Sequence, residues 1–215
     1  MTNQGNETQE RRKIVVFGAA GRVGRAVVAE ARARGHEVTA AGRGDGDVTS
    51  AADVARLAAG HDAAVAAVYD MGAAPGEFFP AAARALAAGL GGAGVGRLVS
   101  VGLASVLPTR SGALLMDTPG YPQEWREFYV GHGAGTEALR AAAPTGLDWA
   151  VLSPSGDFAP VGEPGGGPGA GPGGGYAFAP ADAGARIPHA EFARAVLDEV
   201  LAPTVHRTHA GVTGA

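Results

Sequence analysis

The 215-residue chain has no cysteine, one lysine (Lys13) and no unbroken apolar run long enough to cross a bilayer. The first absence removes disulfides, thiolate nucleophiles and cysteine-ligated metals together. Lysine and arginine number 17, so all but Lys13 are arginine, and a mechanism needing an amine inside the fold is almost excluded. A basic field is also missing: the formal charge is −4, which argues against nucleic acid and anionic membranes as partners. The N-terminus lacks the basic-then-apolar pattern of a secretory signal, so a cytoplasmic protein is expected.

What is present suits one α/β domain. Hydrophobic residues make up 46% of the chain, ample for a buried core at this length. Residues 1–11 are polar and unpatterned and read as a disordered tail, leaving 12–215 as the domain. Residues 13–17 form a short apolar run bounded by glycine, as a strand buried on both faces does. Helical spacing follows over 22–34 and stops at Gly35, and a second strand is expected over 36–41. The alternation continues with helices at 51–59, 78–90, 136–142 and 189–201, and strands at 63–68, 97–103 and 148–152. This pattern predicts a Rossmann-type doubly wound parallel sheet. Two segments interrupt it: 107–135 reads as a long aromatic-rich loop, and 161–175 is nearly all glycine and proline and reads as a flexible loop.

Gly18-Ala19-Ala20-Gly21-Arg22-Val23-Gly24 lies between the first strand and the first helix. At that place Gly18 permits a tight turn, Gly21 lets the backbone approach a pyrophosphate, and Gly24 allows close helix–strand packing. Phosphates would rest on the amides and positive dipole of the helix N-terminus. The second strand ends Ala40-Ala41-Gly42-Arg43, with no acid before the arginine. A guanidinium there can fork onto a 2′-phosphate, with Arg22 assisting, which favours NADPH and keeps NAD as the alternative.

Several stretches together carry a family resemblance. They are Val15-Val-Phe-Gly-Ala-Ala-Gly-Arg-Val-Gly24, Gly46-Asp-Val-Thr49, Ala59-Gly-His-Asp-Ala63, Asp117-Thr-Pro-Gly-Tyr-Pro122 and Leu147-Asp-Trp-Ala-Val-Leu-Ser-Pro154. Over about residues 13–213 the chain resembles the atypical short-chain dehydrogenase/reductases. Within them it is similar to the NAD(P)H-binding group assigned as NADH-flavin reductases, relatives of NmrA-like and biliverdin reductase B-like proteins. The resemblance implies that Asp47 and Val48 contribute to an adenine pocket. It also implies that His132 stands where a biliverdin reductase B-like relative has histidine. Three departures are visible. Only Gly44, Asp45 and Gly46 separate Arg43 from Asp47, so a third strand that relatives form there is expected to be lost. A glycine–proline expansion follows Gly162-Glu163, and no Tyr-x-x-x-Lys pair exists.

Without that pair an ordinary alcohol dehydrogenase mechanism has no activated tyrosine. A flavin, quinone or other planar conjugated acceptor needs less acid catalysis, so hydride transfer to such a small molecule is the expected activity. A non-catalytic NmrA-like dinucleotide sensor and a biosynthetic tailoring enzyme (reductase, isomerase or cyclase) stay open as alternatives. Catalytic candidates are His132, Tyr129 and Ser105, with His132 preferred because imidazole titrates near neutrality. Ser153 and Pro154 are expected to face the nicotinamide through backbone groups. Trp125, Phe128 and Tyr129 either line a substrate wall or pack their loop. His189, His206 and His209 lack the carboxylate spacing of a metal set, and the last two are expected on opposite faces of a terminal strand.

Overall fold

The computed structural model describes residues 10–160 and 175–214. The expectation of a flexible 161–175 loop, and most of the expected tail, lie outside the described residues. Among the described residues five α-helices accompany two sheets: α1 (Arg22–Ala33), α2 (Ala51–Ala58), α3 (Pro75–Gly92), α4 (Arg126–Ala142) and α5 (His189–Leu201). The main strands are β1 (Lys13–Phe17), β2 (Glu37–Ala41), β3 (Ala63–Ala66), β4 (Arg97–Val101), β5 (Asp148–Pro154) and β9 (Thr208–Gly214). Three short strands, β6 (Asp157–Phe158), β7 (Tyr176–Phe178) and β8 (Arg186–Ile187), were not anticipated by the periodicity. The main sheet runs β2-β1-β3-β4-β5-β9-β7, parallel except where β7 pairs antiparallel with β9, while β6 and β8 pair separately.

Period-two alternation within β1 explains its central place. Ile14 and Val16 enter the core under α1 and α5, whereas Val15 and Phe17 enter the one under α2, α3 and α4. All four are at most 3% exposed, and each such burial is worth about 1.5–3 kcal/mol. The first helix stops where expected, with Gly35 at φ +83° and a Schellman pair of bonds, His36 N to Ala31 O and Gly35 N to Arg32 O.

The chain reverses sheet direction between β1 and β3, which opens a crevice at the carboxyl ends of these strands. The short 43–47 connection adds no strand, and β2 is therefore the edge. One boundary differs greatly from its expected place: α4 begins at Arg126, ten residues before the expected 136. Gly131, Gly133 and Gly135 lower the helix propensity of this stretch, yet two of them have a packing role. A Cβ at Gly131 would stand 2.7 Å from Pro75 C, and one at Gly135 would stand 2.8 Å from Phe79 Cβ. Close approach of α4 to α3 requires glycine at both positions, and the packing outweighs the roughly 1 kcal/mol propensity cost of each. Phe128, Tyr129 and His132 thus sit on a helix, not in a loop.

Candidate functional site

The turn after β1 is built from contacts that only glycine permits. Gly18 has φ +77°, and a Cβ there would meet Ala67 O at 2.1 Å; at Gly24 it would meet Gly18 O at 2.2 Å. Gly21, the N-cap of α1, differs: its nearest neighbour would be Gly18 O at 3.3 Å, and beyond that lies the crevice. No side chain caps this helix end, so the first-turn amides face outward with the positive dipole.

From Gly21 the crevice extends in two directions. The half toward β2 encloses about 720 Å³ and is lined by Gly18, Ala20, Gly42, Arg43, Asp47, Val48, Tyr69 and Asp70, among others. The half toward β4 encloses about 500 Å³, with Arg22, Val23, Val101, Gly102, Phe128 and His132 on its walls. Gly21, Ala67, Val68 and Tyr69 belong to both. Ala19 instead packs into the core.

Two aromatic walls, carried by opposite faces of the sheet, meet across the β4-side half. On the α4 side Phe128 packs edge-on against Tyr69 (centroids 5.0 Å) and His132 (4.9 Å), and His132 lies 3.7 Å from Phe79. On the α5 side Phe158 stacks on His189 at 4.2 Å and 16°. Arg22 and Asp157 stand at the rim, and burial followed by the charge of Arg22 holds the His189 pKa below its ordinary value.

A second histidine lies behind this slot. His209 Nε2 is 2.7 Å from Ser153 Oγ, and a Cβ on Gly102 would come within 3.0 Å of the first and 2.7 Å of the second. Gly102 is therefore a thin partition between the slot and the pair. Burial, and then the charge of His209, pushes the His132 pKa down to about 3; burial, and then Arg140, takes His209 to about 4. Both imidazoles are neutral at physiological pH.

This has a consequence for stability. The unfolded chain protonates both rings near pH 6.5, whereas the native state resists protonation until far lower pH. Stability therefore falls as pH drops below 6.5, by about 1.4 kcal/mol per pH unit for each histidine. Urea midpoints between pH 7 and pH 5 should show this slope, and His209→Gln should reduce it. An unchanged slope in that variant would contradict the buried neutral state.

Several expected site residues are elsewhere. Ser105 is fully buried in a 3-10 turn and lines neither half of the crevice. Tyr129 is buried against Tyr121, and Trp125 is exposed at the start of α4, so Phe128 alone of that aromatic set lines the slot. The Ser153 side chain is committed to His209, and both Ser153 and Pro154 are buried at the end of β5. His206 precedes β9 and bonds Asp148 at the surface, so only His209 is in that strand. Among the described residues no three histidines, aspartates or glutamates gather as metal ligands, and no helix is long and apolar enough to cross a membrane. Sequence reasoning missed Tyr69, Asp70, Gly102, Phe158, His189 and His209. Of these, Gly102 directly follows β4, and Tyr69 and Asp70 come three and four residues after β3, at the edge where the sheet rule places ligands.

A sequence model of a family described as NAD(P)H-binding matches residues 44–203, a stretch that excludes the glycine turn. The uncharacterized protein YwnB of Bacillus subtilis is 34% identical over 202 residues, covering 89% of this chain and 93% of its own. A solved structure of a proposed epimerase from Bacteroides thetaiotaomicron superposes with a TM-score of 0.78 at 26% identity, covering 95% of this chain and 97% of that one. A proposed NADH-flavin reductase from Streptococcus pneumoniae superposes with a TM-score of 0.73 at 24% identity over 95% of this chain and all of that one (100%), a likeness of fold.

Proposed function

The chain belongs to the NAD(P)H-binding family, and from that premise we propose that it is a reductase that prefers NADPH and passes hydride to a planar conjugated acceptor such as a flavin or quinone. The observation that carries this reading is the slot between Tyr69, Phe128 and His132 on one side and Phe158 and His189 on the other. A flat ring system bound in this space would lie against the aromatic side chains that line it, where stacking adds to the burial of apolar area.

The residues of the crevice fit a dinucleotide on structural grounds. Gly21 leaves open the space that a side chain would fill, and the uncapped end of α1 offers amides to a pyrophosphate. Arg22 stands beside that end, and Arg43, with Asp47 and Val48, lines the β2-side half where the adenosine would lie. The bound cofactor supplies hydride at its nicotinamide, on the β4 side. Phe128 and Phe158 exclude water there and orient the acceptor.

His132 is the polar side chain on the α4 wall, and its role follows from its neutrality. A neutral ring can donate one N–H to an acceptor atom but is no imidazolium acid. Conjugated acceptors tolerate this, since their reduced forms are delocalised and draw protons from water. The test is NADPH oxidation against a panel of flavins, quinones and simple carbonyls, with the parent and His132→Ala. Turnover is expected with the planar acceptors and at most about a tenfold loss in the variant, below the 10²–10⁴ typical of a lost general acid. Turnover with simple carbonyls only, or a loss of several thousandfold on quinones, would overturn the proposal.

A further inference from the structure

At the mouth of the β2-side half, one arginine faces an acid contributed by a different strand end. Arg43 Nη2 donates to Tyr69 O at 3.0 Å and lies 3.3 Å from Asp70 Oδ1. The neighbouring acids are turned to other partners. Asp45 accepts from Gly42 N, Asp47 from Thr49 N and Oγ1, and Asp53 from Asp47 N and Arg56. Asp70 also accepts from Gly72 N, which fixes its carboxylate beside the guanidinium. Arg43 and Asp70 both line this half of the crevice, whereas Asp45 does not.

We infer that Asp70 is a specificity-determining residue: it competes with a ribose 2′-phosphate for Arg43, so the Arg43–Asp70 pair, not Arg43 alone, sets the preference between NADPH and NADH. The inference rests on the reading that the crevice holds a nicotinamide dinucleotide.

A 2′-phosphate carries nearly two negative charges and offers several acceptor oxygens in fork geometry, so it takes the guanidinium from a carboxylate. The exchange has a cost, because the native pair is broken and the phosphate comes to rest near Asp70. The side chains are 74% and 40% exposed, and exposed pairs of this kind shift an equilibrium by no more than about fivefold. Adding the relieved repulsion, Asp70→Asn should tighten NADPH about three- to tenfold. NADH has no 2′-phosphate, and its affinity should stay the same. The asparagine keeps an oxygen for Gly72 N, so the loop is preserved.

Calorimetric titration of NADPH and NADH into the parent, Asp70→Asn, Arg43→Ala and the double variant tests this directly. The gain for NADPH should appear in Asp70→Asn, vanish in the Arg43→Ala background and shrink in high salt. Weaker NADH binding in Asp70→Asn would overturn the inference, because the acid would then be holding ribose hydroxyls. Unchanged affinities in a parent that binds both dinucleotides would overturn it alone. A parent that binds neither would overturn the cofactor reading and this inference with it.

Discussion

Gly21→Val is expected to fold like the parent and to lose dinucleotide affinity by at least about 100-fold, close to 2.7 kcal/mol. The two halves of this expectation have separate causes. The backbone at Gly21 has φ −70° and ψ 168°, an extended conformation that valine adopts readily. Inside the protein its Cβ would meet one carbonyl at 3.3 Å, a contact relieved by a small shift. The valine methyls, however, would project into the place where the two halves of the crevice join, over the amides that receive the phosphates. Gly24→Val is the contrasting control. Its Cβ would overlap Gly18 O at 2.2 Å, so α1 would be forced off β1 and the protein destabilised. Equal affinity of Gly21→Val and parent would mean that the phosphates bind elsewhere.

At the opposite end of the sheet, Arg97→Met is expected to cost about 3–5 kcal/mol of stability while leaving dinucleotide binding intact. Arg97 reaches Asp148 at 2.7 Å, Glu199 Oε2 at 3.1 Å and the Glu199 and Val205 carbonyls, with its side chain only 8% exposed. Glu199 is 2% exposed and also accepts from the Thr204 and Val205 amides. Removing the guanidinium would leave a buried carboxylate without its counter-charge, and that is the origin of the cost. The cluster lies at the start of β4 and β5, away from their carboxyl ends where the crevice opens, so the two functions separate. Urea unfolding gives the first quantity and calorimetry the second. A loss below about 1 kcal/mol would show that the pair adds little beyond what packing provides.

The sheet, the glycine turn and the missing third strand were legible because each is a local pattern: strand–helix periodicity, three glycines between β1 and α1, and three residues between Arg43 and Asp47. The resemblance to an NAD(P)H-binding group rested on such local stretches and holds. What failed was decided by tertiary contact. The glycines of α4 lower its helix propensity, and their packing role appears only when α3 is placed against them. Ser105 follows β4 as site serines do, but its side chain is buried in a 3-10 turn. His209 has no partner legible in the sequence, and only the pairing of β5 with β9 sets it beside Ser153 and behind Gly102. Asp70 likewise acquires meaning only when the end of β3 meets Arg43 across β1.

The central claim is that one crevice holds a nicotinamide dinucleotide across Gly21, with the acceptor slot on its β4 side. Following backbone amide resonances during an NADPH titration tests it most directly. Saturable shifts should concentrate at Gly21–Gly24, at Gly42–Val48, at Ala67–Asp70 and at Val101–Gly102. Adding a non-reducible planar acceptor analogue should then perturb Phe128, His132 and Phe158. Saturation accompanied by shifts elsewhere, or no binding at millimolar NADPH, would contradict the account.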